Sequence, residues 1–190
     1  MVLRRALAEA FRSRRLLAQR LDERHLDQVA WLAADPRVMR WLGGVRSKEE
    51  LRTWLREQVH AHWCEHGYGM FALFEKHRGG RGAGEASVRK LVGWAGLLRS
   101  DAAVSEVELV VAVAPAYQGA GYGAEISRML VGLAFGPLDL KSVVAFVLPD
   151  NAGAVGLLDK LGFDTDGEED RGGLRHVRYR KRRETWAPQV

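Results

Sequence analysis

The stretch from Glu106 to Ala124 limits the possible folds of this chain more than any other. It opens with a nearly continuous apolar run over residues 107–113, which is typical of a strand buried on both faces. Pro115 has no N–H group to donate and therefore ends the strand, and a glycine-rich turn over residues 119–123 leads into a helical pattern. This order places free backbone N–H groups and the positive end of a helix dipole at one point. We expect an anionic group to bind there.

The rest of the chain predicts one domain over residues 1–190, in which 1–13 form an N-terminal extension. We predict strands at residues 14–21, 68–75, 91–98, 106–113, 143–147 and 174–180, the last of them an edge strand. We predict helical segments at residues 22–33, 38–42, 47–63, 122–133 and 151–161. The glycine- and arginine-rich segment from Lys76 to Lys90 indicates a mobile hairpin loop. Two strand–helix–strand units favour a mixed sheet with parallel pairing at its centre.

Composition restricts the compartment and the partners. The 190 residues contain no apolar run near the roughly 20 residues that a membrane span needs. The single cysteine, Cys64, cannot form an internal disulfide, which fits a reducing cytoplasm. The formal charge of +5 would allow a nucleic-acid partner, but the arginines are spread along the chain. We therefore expect a cytoplasmic protein without a membrane or nucleic-acid partner.

Three motifs in order give the chain a family resemblance. They are the turn Gln118-Gly119-Ala120-Gly121-Tyr122-Gly123, the residue Asn151, and the run LLDKLGF from Leu157 to Phe163. Together they resemble the GNAT family of acyl-CoA-dependent N-acetyltransferases. The opening, from Arg15 to Leu42, is similar to the branch that contains the ribosomal-protein N-terminal acetyltransferases. The resemblance covers about residues 14 to 180, which is nearly the whole chain.

The resemblance implies an α/β fold of the α+β kind: a mixed, mostly antiparallel central sheet with a parallel central strand pair, flanked by helices. It also implies transfer of an acetyl group from acetyl-CoA to a primary amine, either a protein N-terminus or a small molecule. The implied cofactor-binding residues are Val111, Ala112, Val113, Gln118, Gly119, Ala120, Gly121, Tyr122, Gly123, Ala124 and Asn151. The acceptor, the acyl chain preference and the oligomeric state, including a homodimer, stay open.

Glu108 is the candidate general base. A carboxylate inside an apolar strand should have a raised pKa, which suits a base that works near neutrality, and related acetyltransferases carry a Glu at this place. Two alternatives remain: Glu108 could be a structural carboxylate paired with an arginine, or Glu106 could be the base.

The general acid is not evident from the sequence. Leu158 and Ala154 stand where many relatives carry a tyrosine or a serine hydroxyl, so solvent, Tyr117 or Tyr122 would have to protonate the leaving thiolate. The missing hydroxyls also keep open a non-catalytic domain that binds or senses acyl-CoA.

Two other kinds of site match parts of the sequence less well. Gly119, Gly121 and Ala124 satisfy the loose glycine pattern of a dinucleotide-binding fold, but four residues separate the turn from the strand, and no convincing acidic residue follows the next strand. The histidines and cysteine between His60 and His66 resemble metal ligands. His62 and His66 share a helix face, but Cys64 points away from it and no fourth ligand is evident, so we expect no metal site.

Overall fold

The computed structural model describes residues 6–76, 90–99 and 106–187. Within these ranges the strands are β1 (Ala10–Arg12), β2 (Leu16–Arg20), β3 (Met70–Glu75), β4 (Leu91–Arg99), β5 (Glu106–Val113), β6 (Ser142–Val147), β7 (Asp164–Arg171) and β8 (Leu174–Arg182). The helices are α1 (Leu26–Ala33), α2 (Pro36–Met39), α3 (Lys48–Trp54), α4 (Ala61–His66), α5 (Tyr122–Phe135) and α6 (Ala152–Lys160). Most of the predicted loop between Lys76 and Lys90 lies outside the described residues, as do the first five residues of the predicted extension.

The strands form one sheet in the order β1-β2-β3-β4-β5-β6-β8-β7. Every neighbouring pair is antiparallel except β5 and β6, which run parallel and are joined through α5. This confirms the mixed sheet with a parallel central pair. It also makes the dinucleotide-binding alternative wrong, because that fold needs a mostly parallel, doubly wound sheet.

Both ends of the sheet differ from the sequence prediction. The strand expected at residues 174–180 as an edge strand is internal, because β8 lies between β6 and β7. The edge is β7, whose sequence DTDGEEDR is mostly exposed and has no apolar alternation that could have revealed it. At the other edge, β1 adds residues 10–12 of the predicted extension to the sheet by pairing with β2.

The helices cover the sheet and bury its apolar residues. α5 packs on β4, β5 and β6 and buries Ile126, Leu130 and Val131, while α1 packs on β4 and α3. The core also takes in the side chains of the central strands, including Val107, Leu97 and Val143. No helix within the described ranges is long and apolar enough to cross a membrane.

Local signals at the helix ends agree with the structure. Ser47 and Glu50 form the predicted capping box at the start of α3, each side chain accepting the other residue's backbone N–H. The predicted helix then continues through a π-helical segment, Leu55–His60, into α4. Gly162 has the predicted left-handed conformation after α6, with a φ of +68°.

Candidate active site

The parallel strands β5 and β6 pair over a short distance only. Glu106–Glu108 pair with Ser142–Val144, and the ladder between the two strands ends there. Each strand nevertheless continues: β5 stays paired with β4 up to Val113, and β6 stays paired with β8 up to Val147. The two strands therefore part beyond Glu108, at the centre of the sheet.

The backbone of β5 offers hydrogen-bonding groups to this gap. The Ala114 N–H donates to the Val92 C=O at 2.8 Å, and the direction of backbone groups alternates along a strand. Val111 and Val113 consequently direct their N–H and C=O groups toward β6, whereas the backbone of Ala112 faces β4. Gln118 lies at the same place, since its side-chain amide donates to the Val113 C=O at 2.8 Å. Of the three predicted strand residues, two thus present backbone groups to the gap.

The glycine turn leads from the end of β5 into α5. Gly119 and Gly121 have φ angles of +74° and +81°, a region that residues with a Cβ rarely adopt, and Gly121 is the N-cap of the helix. The first intrahelical bond runs from the Glu125 N–H to the Gly121 C=O at 3.1 Å. The N–H groups of the first turn have no carbonyl partner within the helix and belong to Tyr122, Gly123 and Ala124. Together with the helix dipole they make the predicted anion-binding position.

Asn151 has a structural role at the start of the neighbouring helix. Its side-chain oxygen accepts the Ala154 N–H at 3.2 Å and so caps α6. A Cβ placed on Gly123 would lie 3.6 Å from a Leu157 methyl group, which shows how closely the start of α5 approaches α6. Asn151 therefore helps to fix α6 beside the glycine turn.

Arg15 is a residue of this site that the sequence did not reveal. Its Nη1 donates to the Ala120 C=O at 2.8 Å, its Nε to Glu125 at 2.7 Å, and its guanidinium carbon lies 4.3 Å from the centre of the Tyr122 ring. Glu125 also accepts the Ser13 hydroxyl at 2.6 Å and the backbone N–H of Arg15 at 2.7 Å. Burial by itself raises the pKa of Glu125, but the hydrogen bonds from Ser13 and Arg15 outweigh burial and hold that pKa below its usual value. A fixed cation thus lies beside the glycine turn.

The tyrosines next to the turn differ in their freedom to donate a proton. The Tyr122 ring is buried, and its hydroxyl donates to Glu75, which raises the pKa of Tyr122. The Tyr117 ring packs edge-on against Tyr122, with ring centres 5.9 Å apart. Because the Tyr122 hydroxyl already donates to a carboxylate, it is the poorer of the two candidates for a general acid. Leu158, at the position of the usual tyrosine, is buried in the core.

Glu108 is the last residue of β5 that pairs with β6, and its side chain is 17% exposed. Nη1 of Arg171 donates to both Glu108 carboxylate oxygens at 3.0 Å. Burial raises the pKa of Glu108, and the charge and hydrogen bonds of Arg171 oppose that shift without cancelling it. The raised pKa and the paired arginine, which the sequence presented as alternatives, are therefore present together.

Glu106 is enclosed to a much greater degree. Its side chain is 1% exposed and accepts hydrogen bonds from the Ser142 hydroxyl at 3.0 Å, from Arg178 at 3.0 Å and from Arg180. Both arginines also pair with Asp166 of β7. This network ties β5, β6, β7 and β8 together, and it leaves Glu106 a poorer candidate for a base than Glu108.

The histidines in and just before α4 make local contacts. His62 Nδ1 lies 2.8 Å from the Tyr68 C=O, and His62 Nε2 accepts the Arg99 N–H at 2.9 Å. His60 Nε2 lies 3.4 Å from the Cys64 sulfur. Among the described residues, no group of three or more His, Cys, Asp or Glu side chains is placed to hold a metal ion.

Comparison with known proteins identifies a matching family and similar solved structures. The family model described as acetyltransferase (GNAT) domain matches residues 15–164. The chain is similar in structure to an acetyltransferase from Agrobacterium tumefaciens str. C58, with 22% identity, a TM-score of 0.73, and coverage of 92% of this chain and 95% of that one. It is also similar to a candidate ribosomal-protein-serine acetyltransferase from Vibrio cholerae, with 15% identity, a TM-score of 0.72, and coverage of 91% and 97%.

A third similar structure is the spermidine N-acetyltransferase from Vibrio cholerae, solved in complex with CoA and spermine. It shares 19% identity and a TM-score of 0.68, with coverage of 89% of this chain and 96% of that one. At these identities the structural likeness establishes the fold.

Proposed function

The chain belongs to the GNAT acetyltransferase family, whose members transfer acyl groups from acyl-CoA to amines, and we propose that it acetylates a primary amine from acetyl-CoA with Glu108 as the general base. One observation carries this proposal. A partly buried carboxylate of raised pKa lies at the last paired residue of β5, where the ladder with β6 ends.

The residues around the gap fit acyl-CoA. The free N–H groups at the start of α5 and the guanidinium of Arg15 would hold the pyrophosphate. A Cβ on Gly121 would lie 3.4 Å from Arg15 Nη2, in van der Waals contact, which places this guanidinium directly beside the turn. The backbone of Val111 and Val113, in the part of β5 that has left β6, would hold the pantetheine arm by strand-like hydrogen bonds.

Bound acetyl-CoA supplies the acyl group: the amine nitrogen forms a bond to the carbonyl carbon, the C–S bond breaks, and the CoA thiolate takes up a proton. Most amines are protonated near neutral pH and must lose a proton before they can attack. Glu108 accepts that proton and becomes a neutral acid, which burial favours. The nitrogen releases its second proton to solvent as the amide forms, and Tyr117 or solvent donates the proton that the thiolate needs, because the Tyr122 hydroxyl is held by Glu75.

The test is Glu108→Gln, which keeps the shape of the side chain and removes the base. With an amine that the wild-type protein acetylates, we expect turnover to fall by about 10²–10⁴-fold. Calorimetry should show a nearly unchanged affinity for CoA. A higher pH should recover part of the loss, since free amine no longer needs the carboxylate. Glu168→Gln is the matched control, because Glu168 pairs with Arg175 elsewhere in the β7–β8 hairpin.

Two outcomes would overturn the proposal. If folded Glu108→Gln binds CoA and keeps its turnover, Glu108 is structural and the base lies elsewhere. If the wild-type protein binds CoA but releases no free thiol with any amine of a broad panel, the chain is instead a domain that binds or senses acyl-CoA.

A further inference from the structure

Arg171 lies between an aromatic ring and two carboxylates. The guanidinium carbon of Arg171 lies 3.9 Å from the centre of the Phe146 ring, a distance at which a cation is attracted to the ring face. Nη1 of Arg171 contacts both oxygens of Glu108 at 3.0 Å, and its Nε lies 3.5 Å from an oxygen of Glu169. One aromatic face and two carboxylates therefore surround a single positive charge.

The register of the sheet places this site beside the gap between β5 and β6. Glu108 pairs with Val144, and Phe146 follows Val144 by two residues, so the side chains of Glu108 and Phe146 project from the same face of the sheet. Arg171 reaches this face from the end of β7, just before the two glycines of the β7–β8 turn. The arginine charge therefore contacts the carboxylate that we assign as the base.

An ammonium group must come within hydrogen-bonding distance of Glu108 to give up its proton, and Arg171 occupies that position. We propose that this cluster is the subsite for the ammonium group of the acceptor, and that Arg171 fills it until an acceptor takes its place. This assignment rests on the proposed function. If it is right, the acceptors are aliphatic primary amines that are cationic at neutral pH.

The exchange of one cation for another is electrostatically feasible. The Arg171 side chain is 38% exposed and lies next to the hairpin turn, so it can move into solvent. An ion pair with a partner of that exposure is partly screened by water, so it is easier to break than a fully buried pair. The charged groups that face Glu108 are Arg171 and Glu169 of β7 and His176 of β8, and Arg178 lies 6.0 Å from the Phe146 ring. When an ammonium replaces the guanidinium, the charge next to the two carboxylates stays the same.

The same electrostatics discriminates between amines. Glu108 and Glu169 would repel an acceptor whose ammonium carries a carboxylate on the adjacent carbon, as in a free amino acid. Acceptors with a plain alkyl chain next to the ammonium avoid that repulsion. The expected order of kcat/KM is therefore alkyl amines and polyamines above free amino acids.

The first test measures cation binding without any CoA. Arg171→Ala should bind guanidinium or methylammonium ion at least about tenfold more tightly than wild type, as followed by NMR of carboxyl-labelled glutamate. Arg175→Ala, which removes an arginine that pairs with Glu168 in the same hairpin, should behave like wild type. Equal binding by all three proteins would overturn the cation site.

The second test connects the site to the acceptor. In Arg171→Ala, added guanidinium ion should compete with the amine and raise its apparent KM, whereas the wild-type KM should be insensitive to it. The increase of kcat/KM with pH should also move to higher pH in this variant, because Arg171 no longer lowers the pKa of Glu108. Binding of guanidinium without any effect on the amine KM would show that the cluster is not the acceptor subsite.

Arg171→Met covers the case in which the alanine variant does not fold, since methionine keeps an apolar chain over the Phe146 ring. It should show the same binding and competition. The binding experiment does not depend on turnover. A wild-type protein that acetylates no amine would refute the proposed function, whereas guanidinium binding would still show whether the cation site exists.

Discussion

Replacing Arg15 with alanine should weaken CoA binding more than it weakens the fold. The guanidinium lies beside the glycine turn, since Arg15 Nη1 contacts the Ala120 C=O at 2.8 Å and Nη2 lies 3.4 Å from where a Gly121 Cβ would be. A hydrogen bond to a charged group contributes about 1.5–3 kcal/mol. At 1.4 kcal/mol per factor of ten, that loss corresponds to an increase of about 10- to 100-fold in the Kd for CoA.

The cost to stability should be smaller because Glu125 keeps other partners. Without the Arg15 side chain, the carboxylate still accepts the Ser13 hydroxyl at 2.6 Å and the Arg15 backbone N–H at 2.7 Å. The lost pair is partly exposed, with the two side chains 30% and 14% accessible. We expect a decrease of about 1 kcal/mol in the free energy of unfolding, which leaves the protein folded at room temperature.

Calorimetric titration with CoA distinguishes these effects. Arg15→Lys keeps the positive charge but loses the planar guanidinium that contacts Ala120 and Glu125 at the same time. Its Kd for CoA should therefore lie between those of the wild type and Arg15→Ala. Arg20→Ala is the control, because Arg20 lies at the far end of β2, the strand that directly follows Arg15, and there pairs with Glu9 and stacks over Trp63. Folded Arg15→Ala that binds CoA within about twofold of wild type would refute the assignment of the cation to the pyrophosphate.

Two further predictions concern the turn and a buried histidine. Gly119→Ala and Gly121→Ala should each lower the free energy of unfolding by about 1 kcal/mol through left-handed strain. The new Cβ contacts Arg15 in Gly121→Ala and meets nothing within 4 Å in Gly119→Ala, so Gly121→Ala should weaken CoA binding more in the same titration; equal affinities would contradict this. Burial lowers the pKa of His62, whose hydrogen bonds to the Tyr68 C=O and the Arg99 N–H require the neutral ring. Urea unfolding should therefore show stability that is full above about pH 6.5 and lost below it, and His62→Gln should remove much of this dependence. An unchanged pH dependence in the variant would mean that another group titrates.

The central strand, turn and helix could be predicted because their signals are local. An apolar run predicts a buried strand, Pro115 ends it, and glycines permit the two left-handed residues of the turn. The capping box at Ser47 is equally local, since its two hydrogen bonds join residues three positions apart. The family motifs include this same turn, and the match of the family model over residues 15–164 confirms that part of the interpretation.

The edges of the sheet and the charged partners could not be predicted in this way. β7 is a strand of acidic residues that is held by pairing with the basic strand β8, and neither propensity nor periodicity indicates such a strand. The pairs that define the site join distant parts of the chain: Arg15 and Glu125 are 110 residues apart, and Glu108 and Arg171 are 63 apart. Contacts of this kind depend on how the strands are ordered in the sheet, and a local sequence pattern carries no information about that order.

The role that we propose for Glu108 as a base is compatible with its ion pair to Arg171. A fully buried ion pair would hold the carboxylate in place, since breaking it leaves an uncompensated charge away from water. Glu106, enclosed by Arg178 and Arg180, is in that position. Arg171, by contrast, keeps contact with solvent, so we expect that an incoming cation can replace it while Glu108 stays paired. The exposure of the arginine, rather than the presence of an ion pair, is therefore our reason for proposing Glu108 as the base and Glu106 as a carboxylate that holds the strands together.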